Sequence, residues 1–348
     1  MGIKNFHQFM KKNAPNAYRN IHISEYEGKS IAIDISGLIY KYKIIAGDKW
    51  LDAFINLIFT LRKNRVHPIF VFDGKAPQAK DNEKNKRNEQ KIKQFDKVFN
   101  FRQELDNYYS TGEVTDFIRD EMKKLGPPSI GNVMPINTNL LEKKYSYMNS
   151  QIVNWSPEDI ELLHQIFDCL EIPHAVSQSE AETLCASLEI EGKVSAVVSN
   201  DSDVCVYGVH KFLYELNGLD GMCVEIDTKE ILKSLSFTQE QFIDFCIMCG
   251  CDYNENIPNV GPVNSYKLIK EYKSIDNLPS NYDISILNHI ESRSLFATRY
   301  SYEKPSIICS QPTEKNLIEV ASILQRRNSK ITFENIKKVF SPTEIIFQ

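Results

Sequence analysis

Residues 199–206 read SNDSDVCV and follow directly on the apolar run Ala196-Val197-Val198. The run has the length and bounding residues of a short buried strand. Two carboxylates, Asp201 and Asp203, stand at its end. One aspartate after a strand is ordinary turn chemistry. A pair separated by a single small residue also suits a divalent cation. Other strand ends decide between these readings.

SIAIDISGLIY, residues 30–40, gives a second short strand, Ile31-Ala32-Ile33, ending at Asp34. HPIFVFDGK, residues 67–75, gives a third, Ile69–Phe72, ending at Asp73. A helical stretch over Trp50–Arg62 separates these two. Strands alternating with helices predict an α/β fold with a mostly parallel central sheet flanked by helices. In such sheets ligands gather outside the carboxyl ends of the strands. Asp34, Asp73 and the Asp201/Asp203 pair supply carboxylates there from three strands, more than turn chemistry accounts for.

Clustered carboxylates repel unless something neutralises them. Hard divalent cations such as Mg²⁺ do so through oxygen ligands. Four or more carboxylates make two metals about 3.5–4 Å apart a reasonable expectation, an arrangement suited to in-line displacement at phosphorus. Two more acidic residues bear on this. SQSEAETLCASLEIEG, residues 177–192, opens a helix. Ser177 with Glu180, and Ser179 with Glu182, both match the S-x-x-E capping pattern. Glu180 and Glu182 are thus either capping residues or ligands; as ligands they must sit in an irregular first turn, because residues two apart on a helix diverge. Asp252, in GCDYNENIPNVGP (250–262), ends a helix over Phe237–Met248 and precedes a second over Val263–Tyr272. Two simply packed helices read the same way, but the start of the second also suits a phosphate.

The net charge is −5 and the pI about 5.9, so contact with nucleic acid requires a local basic patch. Residues 75–93, KAPQAKDNEKNKRNEQKIK, carry seven Lys or Arg against three acids, 7 − 3 = +4. A solvated helix face reads alike. From 75 to about 150 the chain is polar and helical in parts, with a Gly/Pro-rich loop over 126–139, which suits a functional insertion or mobile cap. No apolar run is long enough to span a bilayer. The start lacks a signal peptide, so the eight cysteines, all at or after Cys169, read as reduced thiols of an intracellular protein. Cys246, Cys249 and Cys251 lack a second pair at zinc spacing and read as buried thiols.

Taken in order, MGI, SIAIDISGLIY, FVFDGKAPQAK, QSEAE, SNDSD, MCGCDY and IPNVGPVNSYKLI make the chain resemble the structure-specific 5′ nucleases, flap endonucleases most closely, over roughly residues 1–275. The resemblance implies a PIN-like fold with a helical arch or cap insertion at 75–150. It implies a helix–hairpin–helix DNA-binding region at 238–272 within a 1–275 nuclease core, with 276–348 as a C-terminal extension. It implies DNA with a 5′ flap or 5′ end as substrate, cut by a phosphodiesterase using two Mg²⁺, with Mn²⁺ as a substitute. Carried over by motif, the metal ligands are Asp34, Asp73, Glu180, Glu182, Asp201, Asp203 and Asp252. The catalytic cations are Lys80 and Arg87. Tyr40 is a stacking platform beside the scissile bond, and Gly2 a buried terminus near the site. Lys84, Lys86, Asn259, Gly261 and Lys267 are expected DNA contacts. The hairpin reads Asn259-Val260-Gly261 in place of Gly-x-Gly, where the family often holds K⁺. The ending SPTEIIFQ carries no sliding-clamp peptide. The expectation is a monomer, not membrane-bound, in the nucleus or another site of DNA replication and repair. Same-fold alternatives are a junction resolvase or a double-strand 5′ exonuclease. Asp201-Ser202-Asp203 alone also resembles the Asp-x-Asp of metal-dependent glycosyltransferases, a reading that leaves Asp34, Asp73, Lys80 and Arg87 without roles.

Overall fold

The computed structural model describes residues 2–125, 136–153, 156–298 and 309–340. Seven strands among them form one sheet: β1 (Tyr18–His22), β2 (Ser30–Asp34), β3 (His67–Phe72), β4 (His174–Val176), β5 (Val197–Val198), β6 (Lys211–Tyr214) and β7 (Met222–Asp227). Their order across the sheet is β1-β7-β6-β5-β2-β3-β4. From β6 to β4 all neighbours are parallel. Near one edge β7 alone is reversed, pairing antiparallel with β6 on one side and with the edge strand β1 on the other. β2 therefore lies in the middle, between β5 and β3, and the Asp34, Asp73 and Asp201 ends point the same way.

The helices are α1 (Phe6–Asn13), α2 (Ile35–Ala46), α3 (Trp50–Lys63), α4 (Asp81–Thr111), α5 (Asp116–Leu125), α6 (Thr138–Ser150), α7 (Pro157–Cys169) and α8 (Ala181–Ile190). After them come α9 (Asp203–Val206), α10 (Thr228–Leu235), α11 (Gln239–Cys249), α12 (Pro262–Tyr272), α13 (His289–Ala297), α14 (Glu314–Arg326) and α15 (Phe333–Phe340). Strand alternation divides the core between the two faces of the sheet. Ala32, Ile69, Val71 and Val197 face a cluster built with α1, α8, α11 and α12. Ile31, Ile33, Phe70, Phe72 and Val198 face the other, built with α2, α3, α7, α14 and α15. There Phe70 stacks on Phe167 with centroids 4.6 Å apart.

Several elements were not read from the sequence, β1 and α2 among them. β1 adds to the sheet edge, and α2 follows Asp34 without a break. Its motif, ISGLIY, is short of polar residues because both Leu38 and Ile39 are buried. Of the expected 126–139 loop, 126–135 lies outside the described residues. α4, α5 and α6 close on a small apolar core of their own, Phe101, Leu105, Ile118, Met122 and Leu141. The sequence hid it because α4 is apolar on one side only in its C-terminal half.

His7 sits on α1 against Tyr214, with ring centroids 4.1 Å apart, and near the Tyr18 hydroxyl, 3.1 Å from Nδ1. Burial, aided by Lys11 and opposed by Glu215, pushes its ring from 6.5 down to about 4. Folding therefore favours the neutral ring. The stabilisation is full above pH 6.5 and is lost as pH falls from there through about 4. His7→Phe is expected to flatten that part of the stability profile. Urea unfolding midpoints of both proteins between pH 4 and 7 test this; parallel profiles would contradict it.

Candidate metal-dependent active site

The carboxyl end of the sheet forms the site. Asp34 is the last residue of β2 and caps α2, accepting from the Ser36 amide (3.1 Å). Ser199, at the end of β5, donates its hydroxyl to Asp34 Oδ2 (3.0 Å). Ser36 Oγ also donates to Asp73 Oδ2 (2.5 Å), which ties β2 to the end of β3. Ser36 and Ser199 lie two residues from Asp34 and Asp201, within the motifs themselves, yet no local pattern singled them out.

Neither S-x-x-E capping box forms. Glu180 is itself the extended residue before α8, and makes no side-chain cap. The cap comes from another strand: Asp73 Oδ1 accepts from the Ala181 amide (2.8 Å). With Glu180 extended and Glu182 in the first turn, the divergence expected of a regular helix does not apply. Both side chains reach a cavity of about 310 Å³. Asp34, Asp73, Asp201, Lys80, Lys84 and Arg87 line it with them.

Asp203 and Asp252 stand beside this cavity. Asp203 opens α9, and its amide donates to Asp201 Oδ1 (3.0 Å). Asp252 follows α11 and pairs with Lys80 (3.0 Å) and Arg87 (2.7 Å). Lys80, 12% exposed, also pairs with Glu180. Tyr253, absent from the sequence reading, donates to Glu180 Oε2 (2.5 Å) and meets the Tyr207 hydroxyl at 2.9 Å. The link between α11 and α12 is fastened to α4 by Lys86 and Glu255.

The electrostatics are those of crowded acids. Burial, then the charge of Asp73, raises Asp34 to about 7. Burial, then Asp201, raises Glu182 well above the usual carboxylate range. Burial also raises Asp201, and burial followed by Asp201 raises Asp203. Asp252 goes the other way: burial works to raise it, but Lys80 and Arg87 together hold it below its ordinary value. Lys80 is held above its own despite burial, by Glu180, Glu182 and Asp252.

The donor set fits a hard divalent cation: carboxylate oxygens alone, on rigid strand ends, with charge unbalanced. Asp203 Oδ1 is buried and has no hydrogen-bond partner among the described residues. As they stand, though, no three of the described acidic, His or Cys side chains are close enough to hold an ion. Lys80 and Arg87 occupy part of that role. Burial raises the thiols of Cys246, Cys249 and Cys251.

The remaining expected residues surround the site. Gly2 has φ +82°, and a Cβ there would lie 2.0 Å from Asp201 Oδ1. Tyr40, on α2, is 38% exposed. Lys84 and Lys86 project from the first turns of α4. Asn259 has φ +63°, the left-handed conformation that Asn tolerates. Gly261 precedes α12 with φ −104°, so its conformation does not require glycine. Lys267 is exposed on α12.

A mostly parallel sheet with acids at its carboxyl end, bridged by basic residues at the start of a following helix, suits metal-assisted hydrolysis of phosphodiesters. Comparison with known proteins makes that specific. The XPG N-terminal domain model matches residues 1–94, and the XPG I-region model residues 171–252. A probable RAD2-like endonuclease of Invertebrate iridescent virus 3 is 30% identical over 352 residues, covering 92% of each chain. Flap endonuclease 1 of Lodderomyces elongisporus is 30% identical over 295 residues, 80% of this chain and 68% of its own. In fold, the chain is similar to the catalytic core of Rad2 in complex with DNA substrate: TM-score 0.65, 17% identity, 97% of this chain and 98% of that one. It is similar also to flap endonuclease-1 from Methanococcus jannaschii: TM-score 0.62, 20% identity, 93% and 94% covered. The chain belongs to the XPG/RAD2 family of structure-specific nucleases, the flap endonuclease family. It is a DNA-cleaving hydrolase, and the glycosyltransferase reading is set aside.

Gly74 makes the closest backbone approach at the site. A Cβ there would lie 1.9 Å from the Ser177 carbonyl oxygen, and its amide donates to Ser179 O (2.7 Å). Gly74→Ala is expected to force the β3 end away from the 177–180 turn and to cost about 1–3 kcal/mol of stability. Chemical denaturation checks the cost; a stability equal to wild type would show that the turn yields freely.

Proposed function

We propose that the chain is a 5′ flap endonuclease with associated 5′-to-3′ exonuclease activity, hydrolysing DNA phosphodiesters with two divalent cations, Mg²⁺ ordinarily and Mn²⁺ as a substitute. One observation supports it above the others: Asp34, Asp73, Glu180, Glu182 and Asp201 share one cavity with Lys80 and Arg87. In this reading the carboxylates, with Asp203 and Asp252, hold the cations. The bound metal supplies Lewis-acid stabilisation and a nucleophilic water. The remaining work falls to the chain's own groups.

Ser36 and Ser199 fix the Asp73 and Asp34 oxygens, so that the strand ends are oriented before substrate arrives. Lys80 and Arg87 lie at the root of α4 against Asp252, where their charges meet a phosphate entering the cavity and stabilise charge developing on it. Tyr40 offers a ring for the base next to the cut. Lys84 lines the entrance, and Lys86 flanks it. The amide end of α12, with Asn259, Gly261 and Lys267, contacts the uncut duplex through its backbone. Asn264 donates to the Asn259 carbonyl, which keeps a lone pair for K⁺, whereas the Gly261 carbonyl accepts from both the amide and the hydroxyl of Ser265. α4 to α6 serve as the arch, and the helices after 276 brace the core. The protein acts as a monomer where DNA is replicated or repaired, and no clamp contact belongs to this reading.

End-labelled 5′-flap, nicked, four-way and blunt DNA, offered side by side with Mg²⁺, test the substrate. Cutting chiefly at the flap base supports the proposal; preference for the junction or the blunt end assigns the chain to one of the same-fold alternatives. Asp201→Ala is expected to abolish cleavage and leave flap-DNA affinity within about threefold of wild type. Wild-type turnover in that variant would refute the metal-site assignment. Lys80→Ala and Arg87→Ala are each expected to lower single-turnover rates by about 10²-fold or more while changing Kd far less. Equal losses in rate and Kd would make them phosphate anchors only.

A further inference from the structure

Two buried phenols beside the site have no part in the chemistry proposed so far. Tyr207 and Tyr253 are 2% and 5% exposed, and their hydroxyls meet at 2.9 Å. Tyr253 also reaches Glu180 Oε2 at 2.5 Å. A phenol has one hydrogen to give, and a carboxylate only accepts. The hydroxyl hydrogen of Tyr253 therefore points at Glu180, and Tyr207 donates in turn to the Tyr253 oxygen. The 2.5 Å separation is that of a charge-assisted hydrogen bond. Lys80 takes the other oxygen, Oε1. Glu180 is thus held from two sides, and Oε2 keeps a second lone pair for a cation.

Packing alone does not account for the pair. Two phenylalanines would fill the same space without burying two hydroxyls. Removing both partners of a buried hydrogen bond at constant shape is nearly neutral for stability. What the hydroxyls do is tie three separate elements together. Tyr207 follows directly on α9, which Asp203 opens, and its amide donates back to the Asp203 carbonyl (3.3 Å). Tyr253 follows Asp252 in the chain. Glu180 precedes α8. The relay from Tyr207 through Tyr253 thus joins the backbone that carries Asp203 and Asp252 to the side chain of Glu180. Phe296 of α13 closes it from outside, edge-on at 61° to Tyr253 and 65° to Tyr207.

We propose that Tyr253, oriented by Tyr207, is a positioning residue for the divalent cations: it holds Glu180 in place at the cavity and so sets how tightly the site binds them. This rests on the reading of the cavity as a divalent-cation site and deepens it. Hydrogen-bond partners of metal ligands typically carry about 10–100-fold in metal affinity, which gives the expected size of the effect.

The test is Mn²⁺ binding to the full chain without DNA, read as free Mn²⁺ by electron paramagnetic resonance, beside urea unfolding of the metal-free proteins. Tyr253→Phe is expected to weaken Mn²⁺ binding about tenfold or more, and Tyr207→Phe about threefold. Tyr207→Phe/Tyr253→Phe is expected to unfold at the wild-type urea midpoint while binding Mn²⁺ as weakly as Tyr253→Phe. A Mg²⁺ titration of single-turnover flap cleavage gives the matching split. In Tyr253→Phe the half-saturating Mg²⁺ is expected to rise about tenfold, with the rate at saturating Mg²⁺ within about threefold of wild type. Wild-type Mn²⁺ affinity in Tyr253→Phe overturns the proposal, and a lowered urea midpoint with that affinity would make the tyrosines structural only. If Tyr253→Phe does not fold, Tyr207→Phe decides in its place: weaker Mn²⁺ binding supports the proposal, and equal binding refutes it. A wild type that binds no Mn²⁺ overturns the metal reading and this proposal with it. A wild type that binds Mn²⁺ no better than its variants overturns the positioning role alone.

Discussion

Acidic side chains forced together at one end of a sheet repel one another, and that repulsion constrains everything around them. Asp34, Asp201 and Asp203 are buried and Glu182 partly so, and each is raised above its ordinary range by burial and by its neighbours. Such a cluster persists only if the backbone beneath it is rigid and positive charge is close. The five-strand parallel stretch provides the first, because its strand ends are fixed by hydrogen bonding on both sides. Lys80 and Arg87 provide the second, from the root of α4. The long helix is thus anchored electrostatically to the site that it also covers.

That anchor links the parts of the molecule. Asp252 closes the path from α11 to the basic pair, and Lys86 reaches Glu255 on the same connection. Tyr253 and Tyr207 extend it inward through Glu180 to a buried core. Phe296 of α13 packs on both tyrosines, with centroids 5.2 and 5.3 Å away. The helix pair proposed to hold uncut duplex and the proposed arch therefore meet at one ion-paired junction. A phosphate that competes for Lys80 or Arg87 necessarily acts on the hold between them.

How much of this could be read beforehand varies with the physics. The strand ends were legible because a short β-forming run closed by aspartate is a local signal, and three of them in one chain are difficult to explain otherwise. The helix over 80–110 was legible from polar, helix-forming composition. β1 was not, because YRNIH has little apolar alternation and its pairing partner lies two hundred residues on. The capping of α8 was misread for a related reason. S-x-x-E is a local pattern, but the amide of Ala181 found a better acceptor in Asp73, brought from another strand. The cap insertion looked featureless because its small core draws only one or two fully buried residues from each of three helices.

The sequence by itself determined the strand–helix alternation, the acidic residues at the strand ends and the basic run after Asp73. These follow from side-chain type and spacing, and family membership agrees with them. Only the tertiary structure decided which acids share a cavity, which are opposed by Lys80 and Arg87, and that Glu180 and Glu182 escape helical divergence. It alone brought Tyr253 to Glu180 and set Phe296 against both tyrosines. The reason is distance along the chain. Propensity and spacing act over a few residues, whereas charge neutralisation, capping across strands and exposure depend on groups that only folding makes neighbours.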